Sequence, residues 1–284
     1  MFGDCHIHMI LDGVYYRDAI DHQKNNPDEA LIRGRLQDYA ERGITYLRDG
    51  GDGWGVGLRA SQLAGEYGIT YRTPVSNLCR KGHYGAFLGW EFTDLAEYRV
   101  LVAQVKAMGG HFIKIMVSGL MDFNIFGAIT DTPCSYELCR DLIAVAHDEG
   151  FAVMAHANGS EAVSNALKAG VDSIEHGAYL QEEVLCQLAE SGAVWVPTLV
   201  TVGNLCGLGR FPDMVLEPLL ELQQRNVGYA AAKGAKIALG TDAGAYAVYH
   251  GAAVRQEYEL LRQAMGEKTD EVLRQGETEI RRRF

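Results

Sequence analysis

Short apolar runs alternate with amphipathic stretches along all 284 residues, which predicts an α/β fold, a (β/α)8 TIM-type barrel. Two further observations support it. The amphipathic stretches repeatedly end in glycine, as helices with a left-handed terminal residue do: Gly43, Gly109, Gly150, Gly170, Gly192 and Gly234. Five of the apolar runs, FGDCHIH, HFIKIM, FAVMAH, VDSIEH and KIALGTD, carry metal-type side chains at or near their ends. Strand tips of a parallel barrel converge on one face, where such side chains meet. Periodicity does not reveal closure, so a doubly wound open sheet stays an alternative.

Taken in order, strands are expected near Gly3–His8, Thr45–Arg48, Thr70–Thr73, Phe112–Met116, Ala152–His156, Ser173–His176, Val194–Pro197 and Lys236–Leu239. Helical stretches such as ALIRGRLQDYAERG, LAEYRVLVAQVKAMGG and CSYELCRDLIAVAHDEG lie between them. Residues 117–135 form a long connection after the fourth of these strands, of the kind that serves as a lid or binding loop. Residues 199–213 are similarly irregular and are expected on the same face. A barrel needs about 250 residues, and no linker or low-complexity tract interrupts the chain, so one domain over residues 1–284 is the simplest division.

The net charge of −11 argues against a nucleic-acid or anionic-membrane surface. The one basic cluster, Arg281, Arg282 and Arg283, reads as a solvated or frayed helix end. No window has the ~18 uninterrupted apolar residues of a membrane span, and the N-terminus lacks a secretory pattern, so the expected location is cytoplasmic. Six cysteines without a C-x-x-C pair fit reduced thiols. Cys5 is expected to point away from its histidine neighbours, towards the helices. The expected partner is a small-molecule substrate, with homo-oligomerisation left open.

His6 and His8 stand two apart on a strand and so face the same way. Two imidazoles there can share a divalent ion. His156 and His176 close their own strands; each alone reads as a structural histidine, and their recurrence at successive strand ends favours a site. Lys114 places an amine inside an apolar strand. Burial lowers its pKa and leaves a nucleophile able to take up carbon dioxide as a carbamate; pairing with a buried carboxylate is the plainer reading. Asp242 offers one oxygen to a metal and the other to a proton, or caps a following helix.

The ordered set DCHIHM, FIKIMVSG, VMAHANG, SIEHG and LGTDAG resembles the amidohydrolase superfamily, in its binuclear branch with imidazolonepropionase-like proteins and Xaa-Pro dipeptidases. The resemblance runs over most of the chain. It implies two divalent metal ions, with His6, His8, Lys114 and Asp242 on the first and Lys114, His156 and His176 on the second. Lys114 would be carboxylated, and Asp242 would be general base and acid. Relatives usually carry a small β-sandwich made from both termini; none is evident here, so a bare barrel is expected.

Such a centre implies hydrolysis of an amide C–N bond in a small molecule, of dipeptide or N-acyl amino acid type. A cyclic amide, imide or lactone would use the same chemistry, and a barrel that binds metal or a small molecule without turnover is the non-enzymatic alternative. Zinc suits the donor set; manganese, iron and cobalt fit nearly as well. Candidate substrate contacts are His83 and Tyr84 in KGHYG, Arg48 as a carboxylate holder or an internal partner of Asp49 or Asp52, and His250 as a ligand-orienting or capping group. His147 reads as structural.

Overall fold

The computed structural model describes residues 1–284. Ten strands are present, with helices between all but β3, β4 and β5: β1 (Asp4–Ile7), β2 (Tyr46–Asp49), β3 (Thr70–Arg72), β4 (Asn77–Arg80), β5 (Trp90–Phe92), β6 (Ile113–Met116), β7 (Val153–Ala157), β8 (Ser173–His176), β9 (Val194–Val196) and β10 (Lys236–Ile237). All pairings are parallel. They form one sheet in the order β1-β2-β3 and another in the order β10-β9-β8-β7-β6-β4-β5. A parallel sheet with crossover helices outside is the TIM-barrel type of arrangement.

Each of the eight expected strand positions carries a strand, and two more occur at β4 and β5. Residues Thr73–Ser76 separate β3 from β4. Pro74 has no N–H to give the ladder, and Val75 stands at φ 65°, a conformation unfavourable for a β-branched residue. The chain therefore leaves β2 after Arg72 and resumes beside β6, with Asn77 opposite Lys114. Between the ends of the two sheets, Cys5 N–H donates to Leu239 O (2.9 Å), Asp242 N–H to His6 O (2.7 Å) and His8 N–H to Ala243 O (2.8 Å).

The helices are α1 (Tyr16–Gln23), α2 (Glu29–Glu41), α3 (Val56–Leu63), α4 (Leu95–Ala107), α5 (Tyr136–Asp148), α6 (Ser160–Lys168), α7 (Glu182–Ser191), α8 (Val200–Gly203), α9 (Asp213–Ala232), α10 (Ala253–Met265) and α11 (Thr269–Arg283). Asp28, Asp94 and Ser135 accept backbone N–H groups at the starts of α2, α4 and α5. The six glycines expected to stop helices all have φ between 72° and 89°, where a side chain would be strained. None of the helices is long and apolar enough to cross a membrane.

Two local details refine the expectations. The register between Asp4 and Ile7 is irregular, which breaks strict alternation. Cys5 packs with Phe112, Met154 and Val194 and with Ile280 and Phe284 of the C-terminal helix, in a separate small apolar cluster. The C-terminal helix is not frayed: Phe284 is buried, its ring lies 5.2 Å from Phe112, and the Arg48 guanidinium sits 4.5 Å from it. Arg281 and Arg282 pair with Glu277 and Glu279, and Arg283 with Glu279 and Asp172.

Candidate active site

Register decides which side chains meet. Met116 lies opposite His156, and Ala157 opposite His176, so neighbouring strands deliver their terminal side chains to one level. The His156 and His176 rings are 4.6 Å apart and those of His6 and His176 5.0 Å apart. His6 and His8 both turn to Asp242, with Nε2 to Oδ1 distances of 3.6 and 3.3 Å. Metal-capable atoms of these three residues all lie within 4.8 Å of one another. Lys114, His156 and His176 line the same cavity.

Backbone strain is concentrated here. His176, Thr198 and Asp242 have φ of 70°, 50° and 60°, uncommon for residues with side chains. Asp242 caps no helix, since the next one begins at Ala253. Its N–H is held instead by His6 O.

The hydrogen bonds fix which imidazole nitrogen is free. His6 Nδ1 donates to Glu175 Oε2 at 2.8 Å, leaving Nε2 buried without a partner. His156 Nε2 donates to Gly119 O at 3.1 Å, which Asn158 Nδ2 also reaches at 3.2 Å; the lone pair is left on Nδ1. His176 Nδ1 lies 2.8 Å from Thr198 Oγ1, and with that nitrogen donating, Nε2 is left. Burial holds all four imidazoles neutral: His8 and His156 are pushed down to about 3, and His6 and His176 well below the usual histidine value, with Lys114 adding to the effect.

Lys114 Nζ is buried with no hydrogen-bond partner. Burial lowers its pKa to about 8, against the pull of Glu175 and Asp242. Asp242 is raised to about 7, again chiefly by burial. An unpartnered amine and the Nε2 atoms of His6 and His8, both facing the Asp242 carboxylate, make an uncompensated cluster. A divalent cation satisfies the imidazole and carboxylate donors of such a set, and Lys114 can join them once its amine is deprotonated.

The remaining candidates divide. Tyr84 lines the cavity, its ring 4.7 Å from His156. His83 turns away and bonds Asp131 at 2.9 Å, tying its loop to residues 117–135. Arg48 is fully buried beneath the site, bonded to Cys5 O, Ser173 Oγ and Glu175 Oε1. With its polar atoms so engaged it holds no substrate, and its acidic partner is Glu175, neither Asp49 nor Asp52. His250 bonds Leu11 O and Tyr39 OH outside the cavity lining, so it neither faces a ligand nor caps α10 with its ring. His147 pairs with Asp172, as a structural histidine does.

Sequence reasoning missed Glu175, Asn158 and Thr198, which hold the imidazoles by their second nitrogens or neighbouring carbonyl. It also missed Gly50. A Cβ there would collide with the His8 ring, so the ring rests on bare backbone. The dipeptide Gly50-Gly51 was the available signal.

Above these residues the cavity holds about 400 Å³. Its walls are mainly apolar and aromatic, including Leu11, Tyr16, Phe87, Met121 and Phe211. Residues 117–135 and 199–213 both contribute, so the two irregular connections share the expected face. The first contains only the isolated bridge Met121–Ile129, and the second begins with the short α8.

Residues 64–275 match the amidohydrolase family. An uncharacterized protein of Mycobacterium tuberculosis is 30% identical over 182 residues, covering 62% of this chain and 48% of its own. Ochratoxinase of Aspergillus niger is 27% identical over 279 residues, covering 84% of this chain and 56% of its own. The chain thus spans about half the length of these curated relatives. Among solved structures, a Xaa-Pro dipeptidase with bound methionine superposes with a TM-score of 0.78 at 22% identity, over 99% of this chain and 75% of the other. A putative prolidase from Bifidobacterium longum gives 0.71 at 26% identity, over 97% and 67%.

Proposed function

Because the chain belongs to the amidohydrolase family, we propose that it is a metal-dependent hydrolase cleaving an amide C–N bond of a small molecule, of dipeptide or N-acyl amino acid type. The observation that carries this reading is the buried group of His6 Nε2, His8 Nε2 and Asp242, with the unpartnered Lys114 Nζ lining the same apolar cavity.

His6, His8, Lys114 and Asp242 would hold one divalent ion, and Lys114, His156 and His176 a second, with zinc the best match to the donors. For Lys114 to serve both, its neutral amine adds to carbon dioxide: the N–C bond forms, a proton leaves, and an anionic carbamate results. The depressed pKa of about 8 makes a neutral fraction of the amine available near neutral pH. When bound, the ions would lower the pKa of water towards neutrality and polarise the amide carbonyl.

The protein's own residues do the rest. Asp242, whose affinity for a proton is raised to about 7, takes the proton from the attacking water and passes it to the leaving nitrogen. Glu175, Thr198 and Gly119 keep the imidazoles in the tautomers that leave lone pairs towards the centre. Tyr84 and the aromatic walls exclude water around the scissile bond. We further read residues 1–284 as one barrel domain closed between β10 and β1, a reading supported by the hydrogen bonds from Cys5 and His8 across that seam.

Metal analysis paired with hydrolysis assays tests the reading. The purified protein is expected to carry two metal equivalents and to hydrolyse N-acyl amino acids or dipeptides. Asp242→Asn is expected to lose at least ~10²-fold in kcat. Full metal occupancy without turnover of any amide, ester or lactone would point instead to a binding protein.

A further inference from the structure

Lys114 and Arg210 are the only Lys or Arg side chains lining the cavity, and Arg210 plays no part in the metal centre. Its guanidinium lies 3.9 Å from the Tyr246 ring centroid and 5.6 Å from that of Phe211. It forms no ion pair or hydrogen bond with any residue of the chain. Other surface arginines with a neighbouring carboxylate pair with it, as Arg33 does with Glu29 and Glu66 and Arg274 with Asp270, but no carboxylate lies within ion-pair reach of Arg210. Arg210 is instead held by aromatic faces, which orient a guanidinium without using its N–H donors.

Position adds a second constraint. Arg210 is at the exposed rim, whereas His6 is fully buried at the floor and Asp242 largely so. Tyr246 is exposed beside Arg210, and Leu205, Phe211 and Ala245 line the same cavity as the buried histidines. The protein is strongly acidic, so an anion has no general attraction to it and needs a local cation. A planar guanidinium with free donors matches a carboxylate.

We propose that Arg210 is the carboxylate anchor of this cavity, and that the substrate carries a free carboxylate at its outward end. This rests on the hydrolase reading only in that the ligand is a substrate; the anchor itself does not depend on turnover. Tyr246 holds the guanidinium in place, and the aromatic walls take the body of the molecule.

The test uses two probes without an amide, 6-phenylhexanoate and 6-phenylhexan-1-ol, titrated calorimetrically into the protein as purified. The acid is expected to bind about tenfold or more tightly than the alcohol, the scale of one charge-assisted contact. In Arg210→Met, which keeps the apolar stem, the two are expected to bind alike. Arg17→Met serves as a control, because Arg17 stacks on Tyr16 without lining the cavity; the preference for the acid is expected to persist. Equal affinities in the unsubstituted protein overturn the proposal, as does a preference that survives in Arg210→Met, as it would if the metal centre held the carboxylate. Loss of the preference in Arg17→Met also overturns it, since a diffuse field would then be responsible, and so does failure of both probes to bind. A protein that selects the acid through Arg210 yet hydrolyses no amide would overturn the hydrolase reading and leave this one standing.

Discussion

Glu175 and Arg48 form a fully buried ion pair at 2.7 Å, and the second oxygen of the same carboxylate holds His6 Nδ1 at 2.8 Å. The pair therefore does two things at once. Arg48 compensates a carboxylate in the interior, and that carboxylate sets the His6 tautomer. Phe112 and Phe284 flank the guanidinium from below, so the C-terminal helix supports the site from the opposite end of the strands.

The two halves of this pair are expected to fail differently. Arg48→Met strands a buried carboxylate and should cost about 3–5 kcal/mol of stability, read as a lowered urea midpoint. Glu175→Gln, with Arg48 still able to bond the amide oxygen, should fold but lose about 10–100-fold in metal affinity, read by competition with a chelating dye. Unchanged metal affinity in Glu175→Gln would show that His6 needs no such orientation.

Gly50 gives a test of the His8 position that removes no ligand atom. Gly50→Ala places a methyl group against the imidazole, which must rotate or shift. Metal affinity should fall while thermal stability without metal changes much less, because the strain is relieved by moving one half-free ring. An alanine variant with unaltered metal content would mean that His8 does not need its present place.

The sequence made most of this layout legible, and the failures have a physical pattern. Alternation and chain order located His6, His8, Lys114, His156, His176 and Asp242 at strand ends, because a parallel strand's tip is where an apolar run stops. Arg48 was misread because alternation reports which face of a strand a residue occupies and says nothing about depth. Its register opposite Arg72 and its bonds to Ser173 and Cys5 put it below the site, where only the neighbouring strands' alignment could reveal it. β4 and β5 were missed because they are only four and three residues long and no helix separates them from β3 or from each other, so the strand–helix rhythm does not mark them. His83 and Tyr84 lie in a loop with no periodicity to orient them, and the structure turns one outward and one inward.

Lys114 should trade stability for function. Its amine is buried without a hydrogen bond, an arrangement that costs free energy in the metal-free protein. Lys114→Met, close in length and apolar, should therefore raise the melting temperature of the metal-free form. Saturating metal should raise the unsubstituted protein further, by about 2.7 kcal/mol at a hundredfold excess over Kd, and should do little for the variant. Parallel calorimetry of both proteins with and without zinc reads this. A variant that keeps the full metal-induced shift would remove Lys114 from the centre.

Glu257 offers a pH-dependent prediction away from the proposed ligands. It is fully buried on α10 and accepts the N–H groups of Leu199 (3.0 Å) and Val200 (2.7 Å), just after Thr198, which holds His176. Burial raises its pKa from the ordinary 4.5 to about 8, against the two N–H groups, which lower it. The folded protein thus binds this proton more tightly than the unfolded chain does. The stabilisation linked to it is full below pH ~4.5 and is lost as pH rises through about 8. Gln in its place carries no ionisable proton and turns one N–H donor towards a backbone N–H. Glu257→Gln should consequently be less stable than the parent at pH 5, and the gap should narrow steadily towards pH 9. Urea unfolding of both proteins across that range measures it; a gap that stays constant or widens with pH would mean that Glu257 is already ionised in the folded protein at pH 5.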